Sequence, residues 1–229
     1  MKTIGLIGGM SWESTLTYYK LLNDKVMHHL GGLNSAKIIL YSVNFADIEK
    51  CQKCGDWNKS AEILKDAALK LEKAGADFVL ICTNTMHKVV PEIQKDLNIP
   101  IIHIAEATAD VLVERGIKKV ALLGTKYTMT QDFYREKLTE RGIEVLIPCE
   151  HGVEFVNDVI FKELCVGEVK KESKDKYVEI INGLVEKGAE GVILGCTEID
   201  LLIKDGDVDV PVFDTTEIHA DKAFELAIK

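Results

Sequence analysis

The sequence predicts an α/β protein of two similar lobes with parallel sheets, related by internal duplication. Three observations predict it. Residues 71–85 (LEKAGADFVLICTNT) lie over residues 184–198 (LVEKGAEGVILGCTE) without a gap, at a constant offset of 113 residues. Two flanking segments repeat in the same order: Ile4-Gly-Leu-Ile-Gly8 with Val120-Ala-Leu-Leu-Gly124, and Ile99-Pro-Ile-Ile102 with Val210-Pro-Val-Phe213. Short apolar runs alternate with helical segments throughout, the rhythm of parallel strands covered by helices. A repeat this long implies two equivalent units. The expected lobes are Rossmann-like and span residues 1–112 and 113–212, with residues 213–229 forming a helix that packs back on the first. The active site is expected in the cleft between them, with hinges near 110–118 and 205–213.

Each element has a local reason. Residues 3–9 form an apolar run ending in Gly8-Gly9, a buried strand entering a loop. A helix then runs to about Leu30, with Ser11 or Ser14 as its cap, Glu13 in the first turn and Gly31-Gly32 as its stop. Residues 37–43 alternate enough for a second strand. A helix over 58–73 ends before Gly75, and 76–82 reads as strand three. Residues 85–97 are expected to be helical, 100–104 a fourth strand, and 106–115 the helix leaving the first lobe. The second lobe repeats the scheme with strand 119–123, helix 130–141 stopped by Gly142, and strand 143–147. Helices 152–166 and 173–187, strand 190–194, a short helix from Glu198, strand 210–213 and a last helix from Glu217 complete it.

Composition narrows the function. The 229 residues are 47% apolar and 28% charged, as in ordinary globular proteins. A formal net charge of −9 disfavours nucleic acid and anionic membrane as partners. No apolar run approaches the ~20 residues of a membrane span, and the first residues do not read as a signal peptide, so a cytoplasmic location is expected. The six cysteines are then reduced thiols. Cys51-Gln-Lys-Cys54 has zinc-ligand spacing but no second pair, so no metal is expected. Gly5-Leu-Ile-Gly-Gly lacks the G-x-G-x-x-G spacing of a dinucleotide site, and no phosphate-loop motif is present. The run from Lys170 to Lys176 is interleaved with acids and reads as a solvated helix face.

The chemistry falls at strand ends, where ligands of such sheets bind. Cys196 ends one strand and opens a helix, a position where oriented N–H groups are expected to lower the thiol pKa. The repeat makes Thr83 its counterpart, a hydroxyl that could deliver a proton to the opposite face of a substrate, through water or a neighbouring group. Cys82, one position earlier on extended backbone, points toward the core. Asn84, Thr85 and Thr197 are expected to form two helix-entry nests for a carboxylate, and Gly8-Gly9-Met10-Ser11 a third close backbone approach. His87 and His103 read as core histidines. Glu198 and Glu217 are candidates for orienting an ammonium group.

These residues resemble the cofactor-independent aspartate/glutamate racemase family over essentially the whole chain. The likeness rests on Gly8-Gly-Met-Ser-Trp-Glu-Ser-Thr15, Cys82-Thr-Asn-Thr-Met-His87, Ala121-Leu-Leu-Gly-Thr125 and Gly195-Cys-Thr-Glu198. It is strongest to the branch of L-aspartate/glutamate-specific or broad-specificity amino-acid racemases. The resemblance implies a racemase without pyridoxal phosphate that moves a proton at the α-carbon with one residue from each half. Most members carry cysteine directly before Asn-Thr, where this chain has Thr83, so an asymmetric Thr83/Cys196 pair is implied. Met10, Ser11, Gln52, Asn84, Thr85, Thr125, Thr197 and Glu198 are the implied substrate-binding residues. Aspartate racemases hold the side-chain carboxylate with basic residues. Gln52 stands near one such position and Cys165 at another, with Lys162 nearby, and a neutral Gln52 relaxes the demand for a second carboxylate. A homodimer is expected from the frequency of two-fold assemblies. The alternatives are a diacid isomerase or decarboxylase of the same superfamily, and a non-catalytic small-molecule binder.

Overall fold

A computed structural model describes all residues, Met1–Lys229. The chain divides into two compact units, residues 1–103 with 219–229, and residues 104–218. The first crossing therefore lies earlier than residue 112, and the helix Ile104–Glu114 belongs to the second unit.

In the first unit three parallel strands, β1 (Ile4–Gly8), β2 (Ile38–Ser42) and β3 (Phe78–Ile81), are ordered β2-β1-β3. β1 is buried along its whole length. Alternate residues of the strands feed two cores, as a pleat requires. Ile7, Val79 and Ile81 pack with Leu64, Ala68 and Leu71 of the helix Trp57–Lys73. Ile4, Leu6 and Leu80 pack with Tyr18 and Leu22 of the helix Trp12–Leu30 and with Ala220 and Ala223. Each fully buried Leu or Ile contributes roughly 1.5–3 kcal/mol.

The second unit holds β4 (Lys119–Gly124), β5 (Glu144–Leu146), β6 (Val192–Gly195) and β7 (Val212–Asp214), all parallel, in the order β5-β4-β6-β7. Ala121, Leu123 and Leu194 face Val156, Ile160, Tyr177 and Ile181. Val120, Leu122 and Ile193 face Leu112, Tyr134 and Phe213.

The repeat extends to the hydrogen-bond register. Gly5, Leu6 and Ile7 stand beside Val79, Leu80 and Ile81, and their sequence counterparts Ala121, Leu122 and Leu123 stand beside Val192, Ile193 and Leu194.

Four local expectations change. Residues 100–104 supply only one parallel bridge, Val79 with Ile101, in place of a fourth strand. The predicted helix 85–97 is a 3₁₀ turn, Thr85–Val89, followed by a short helix, Val90–Gln94. Pro91 lacks the N–H that a continuous helix would use, so a new helix starts there. The segment 130–141 is two helices, Lys126–Thr130 and Asp132–Thr139. A helix over Phe45–Cys54 was not predicted, because it buries only Ile48 and Gln52 and so has a faint apolar period. No helix is long and apolar enough to cross a membrane.

Candidate active site

The loop after β1 is built around Gly9, whose φ of 88° suits glycine. A β-carbon there would lie 2.2 Å from the carbonyl oxygen of Val43. The Gly9 N–H donates to Thr15 Oγ1 at 2.8 Å, and that hydroxyl donates to the Ser11 carbonyl at 2.9 Å. Ser11 is the helix cap, its Oγ accepting from Ser14 N at 3.2 Å. Ser14 Oγ donates to the Cys82 carbonyl at 2.9 Å, tying this loop to the end of β3. Ser11 thus serves the loop itself. Met10, 4% exposed, belongs to the core.

At the end of β3 the side chains divide by depth. Cys82 is fully buried, and burial pushes its thiol far above the ordinary range. Thr83 is partly exposed, while Asn84 and Thr85 are buried. Gln52, also buried, donates from Nε2 to Met86 Sδ at 3.1 Å.

Beneath this turn lies a cluster whose arrangement was not foreseen. His87 Nδ1 donates to the Thr83 carbonyl at 2.9 Å. Its ring stands 4.7 Å from His103 and 5.5 Å from His219. His219 Nε2 meets the Ile102 carbonyl at 2.8 Å; a carbonyl only accepts, so Nε2 carries the proton and Nδ1 accepts from Tyr18 Oη at 2.8 Å. Burial, with His87 beside it, holds the His219 pKa well below the usual value. His87 and His103 are thus buried residues, as read from the sequence, but they belong to a network with two partners distant in sequence.

In the second unit β4 and β6 end side by side at Gly124 and Gly195. A β-carbon on Gly195 would lie 2.9 Å from the Leu123 carbonyl oxygen, so the counterpart of Cys82 must be small. Thr125 is a helix cap: its Oγ1 accepts from Thr128 N at 3.3 Å and lies 3.2 Å from Thr128 Oγ1. Cys196 follows β6 on extended backbone, φ −152° and ψ 132°, and is partly accessible. Its Sγ donates to Glu198 Oε2 at 3.0 Å, and Thr197 Oγ1 donates to the same oxygen at 3.0 Å.

This geometry reverses one expectation. The thiol of Cys196 is raised well above its ordinary pKa, first by burial and then by the adjacent Glu198 charge and its hydrogen bond. The following helix is a five-residue 3₁₀ turn, Thr197–Leu201, too short to offset a carboxylate in contact with the sulfur. The sulfur is thus held as a thiol that donates its hydrogen to the Glu198 carboxylate.

Asp214, at the end of β7 and beside Leu194 in the ladder, is a titratable group not foreseen. Burial raises its carboxyl to about 6, against the Thr216 N–H at 2.8 Å that favours the charged form. Glu217 is exposed in the first turn of the helix Thr215–Ile228. No group of three or more His, Cys, Asp or Glu could hold a metal ion.

Comparison with known proteins places this chain. The family model described as Asp/Glu/Hydantoin racemase matches residues 7–223. The broad specificity amino-acid racemase RacX of Bacillus subtilis is 26% identical over 223 residues, covering 93% of this chain and 92% of RacX. Among solved structures, an Asp/Glu racemase candidate from Yersinia pestis is 51% identical with a TM-score of 0.95, covering 100% of both chains. An aspartate racemase homologue from Pyrococcus horikoshii OT3 is 43% identical with a TM-score of 0.87, again covering 100% of both.

Proposed function

Since the chain belongs to the Asp/Glu/hydantoin racemase family, we propose that it is an amino-acid racemase that interconverts L- and D-forms, of aspartate or glutamate first, without pyridoxal phosphate. The observation that carries this reading is the Cys196–Glu198 pair at the end of β6, in repeat register with Thr83 at the end of β3. In this reading Cys196 and Thr83 are the two proton-transfer groups.

To abstract the α-proton, Cys196 first passes its own proton to Glu198; the thiolate then takes hydrogen from the α-carbon, leaving a carbanion and restoring the thiol. Thr83 hands its hydroxyl proton to the opposite face of the carbanion and takes a replacement from solvent water, while Glu198 releases the proton it holds to solvent, so both groups return to their starting state. In the reverse direction the Cys196 thiol is the donor and Glu198 recovers its charge. The pair keeps a net charge of −1 until the α-proton arrives, so no unpaired charge is created in a half-buried place.

The α-hydrogen of an amino acid is a very weak acid, and preorganised donors to the α-carboxylate are the expected remedy, each worth roughly 3–4 kcal/mol. Asn84, Thr85 and Thr197 are assigned that task. Thr125, Met10 and Ser11 shape the surrounding loops, and Gln52 contacts the substrate side chain without a formal charge, which suits more than one amino acid. The working assembly is taken as a homodimer in the cytoplasm.

The test is incubation in D₂O with separate L- and D-forms of aspartate, glutamate and neutral amino acids. Loss of the α-proton signal together with inversion on a chiral column, with no cofactor added, is the expected result. No exchange with any of them refutes the racemase reading.

A further inference from the structure

We propose that His87 is a positioning residue for Thr83: its imidazole fixes the peptide that carries the Thr83 hydroxyl, and His219 and Tyr18 fix the imidazole. This role rests on the racemase reading, in which Thr83 transfers a proton.

Two peptide groups, one on each side of a residue, set the direction of its Cα–Cβ bond. The peptide before Thr83 is held at both its polar atoms. Ser14 Oγ donates to the Cys82 carbonyl at 2.9 Å, and the Thr83 N–H donates to the Ile81 carbonyl at 2.8 Å. The peptide after Thr83 is held by His87, whose Nδ1–H donates to the Thr83 carbonyl at 2.9 Å. The local backbone explains why a side chain does this. In an α-helix the His87 N–H would reach back four residues to Thr83. Thr85–Val89 is a 3₁₀ turn, so that N–H goes to the Asn84 carbonyl at 3.1 Å, and the imidazole takes the Thr83 carbonyl instead.

The ring is wedged in this orientation. His103 packs 4.7 Å from it, and His219 meets it edge-on at 5.5 Å. His219 is itself fixed at both nitrogens, by the Ile102 carbonyl at 2.8 Å and the Tyr18 hydroxyl at 2.8 Å. His219 and Tyr18 are fully buried.

The second unit has no such device. There the Cys196 carbonyl accepts from the Ile199 N–H at 3.1 Å. Asp200, which the repeat offset sets against His87, pairs with Lys204. The imidazole thus serves only the turn whose working group is a hydroxyl. Misplacing such a group by about 1 Å can cost about 10²-fold in rate.

Deuterium exchange and inversion, followed together in D₂O on the full chain, test this. For the enantiomer that Cys196 deprotonates, His87→Leu should raise the ratio of exchange to inversion by about 10-fold or more, in the same direction as Thr83→Ala. His87→Asn, whose amide Nδ2 can stand where Nδ1 does, should restore the wild-type ratio. A merely structural role, including disturbance of Asn84 and Thr85 in the same turn, would lower exchange and inversion together. An unchanged ratio in His87→Leu, or a ratio as high in His87→Asn, overturns the proposal. Nitrogen-15 spectra of histidine-labelled wild type need no variant to fold: His87 should carry a proton on Nδ1, and a bare Nδ1 overturns the proposal. If Thr83→Ala itself leaves the ratio unchanged, the Thr83 assignment falls and this inference with it. A rise in Thr83→Ala with none in His87→Leu refutes this inference alone.

Discussion

The turn after β3 presents a hydroxyl, Thr83, and sends its thiol into the core; the turn after β6 presents a thiol, Cys196, and holds it on a carboxylate. The backbone is the same device twice, down to matching partners in the ladder. The chemistry differs because a one-residue displacement on extended backbone moves a side chain to the opposite face of the sheet. Cys82 therefore sits among Leu6, Tyr18 and Leu80, while the position equivalent to it in the other unit is Gly195, pressed against the neighbouring strand. The repeat keeps the scaffold in both units while the residues at the two strand ends differ.

The comparison breaks first if Cys196 is dispensable. Cys196→Ala should lower kcat by about 10³-fold or more in both directions, measured by chiral chromatography. Thr83→Ala should cost about 10²-fold, with Thr83→Ser recovering most of it. In D₂O the Thr83→Ala variant should still exchange the α-proton of the enantiomer that Cys196 deprotonates, faster than it inverts it. Equal losses of exchange and inversion would contradict a division of labour between the two turns.

Glu198→Gln sharpens the comparison at the thiol. Because the Glu198 charge and hydrogen bond raise the Cys196 pKa, their removal should move the pH midpoint of Cys196 alkylation downward, read by mass spectrometry. Asp214→Asn tests stability. Burial raises the native carboxyl to about 6 from an ordinary 3.8, so the folded state binds the extra proton and stability falls as pH rises through that window. Asn should therefore raise Tm at neutral pH, by the equivalent of roughly 1–3 kcal/mol, and give no gain below pH of about 4. The smallest effect is expected for Cys82→Ala, a loss of roughly 1 kcal/mol of stability with activity nearly intact.

What was legible in the sequence was whatever the repeat or a strong apolar period carried. The β-strands flanking Gly8, Cys82, Gly124 and Gly195 fall where the two offsets put them, as does the burial of Cys82. The helix Phe45–Cys54 was illegible because only Ile48 and Gln52 turn inward. The Cys196 environment was misread because position in the chain shows a helix start but not its length, nor that Glu198, two residues on, folds back onto the sulfur. Tyr18, His87, His103 and His219 could each be read as buried or helical. No local pattern shows that residues separated by 201 positions, Tyr18 and His219, share a hydrogen bond.

The chain's last turns have a consequence for how the molecule is made. His219, Ala220, Ala223 and Ala227 complete the core beside β1, and the Lys2 N–H reaches the Ala227 carbonyl at 2.8 Å. The second unit, by contrast, is one unbroken stretch from 104 to 218. A ribosome releases the N-terminal strand first, yet that strand must wait for residues 219–229 before its sheet is fully covered. The first unit is therefore completed only after the second has been synthesised, and a nascent chain stalled before residue 219 would leave open the part of the β1 face that Ala220, Ala223 and Ala227 cover.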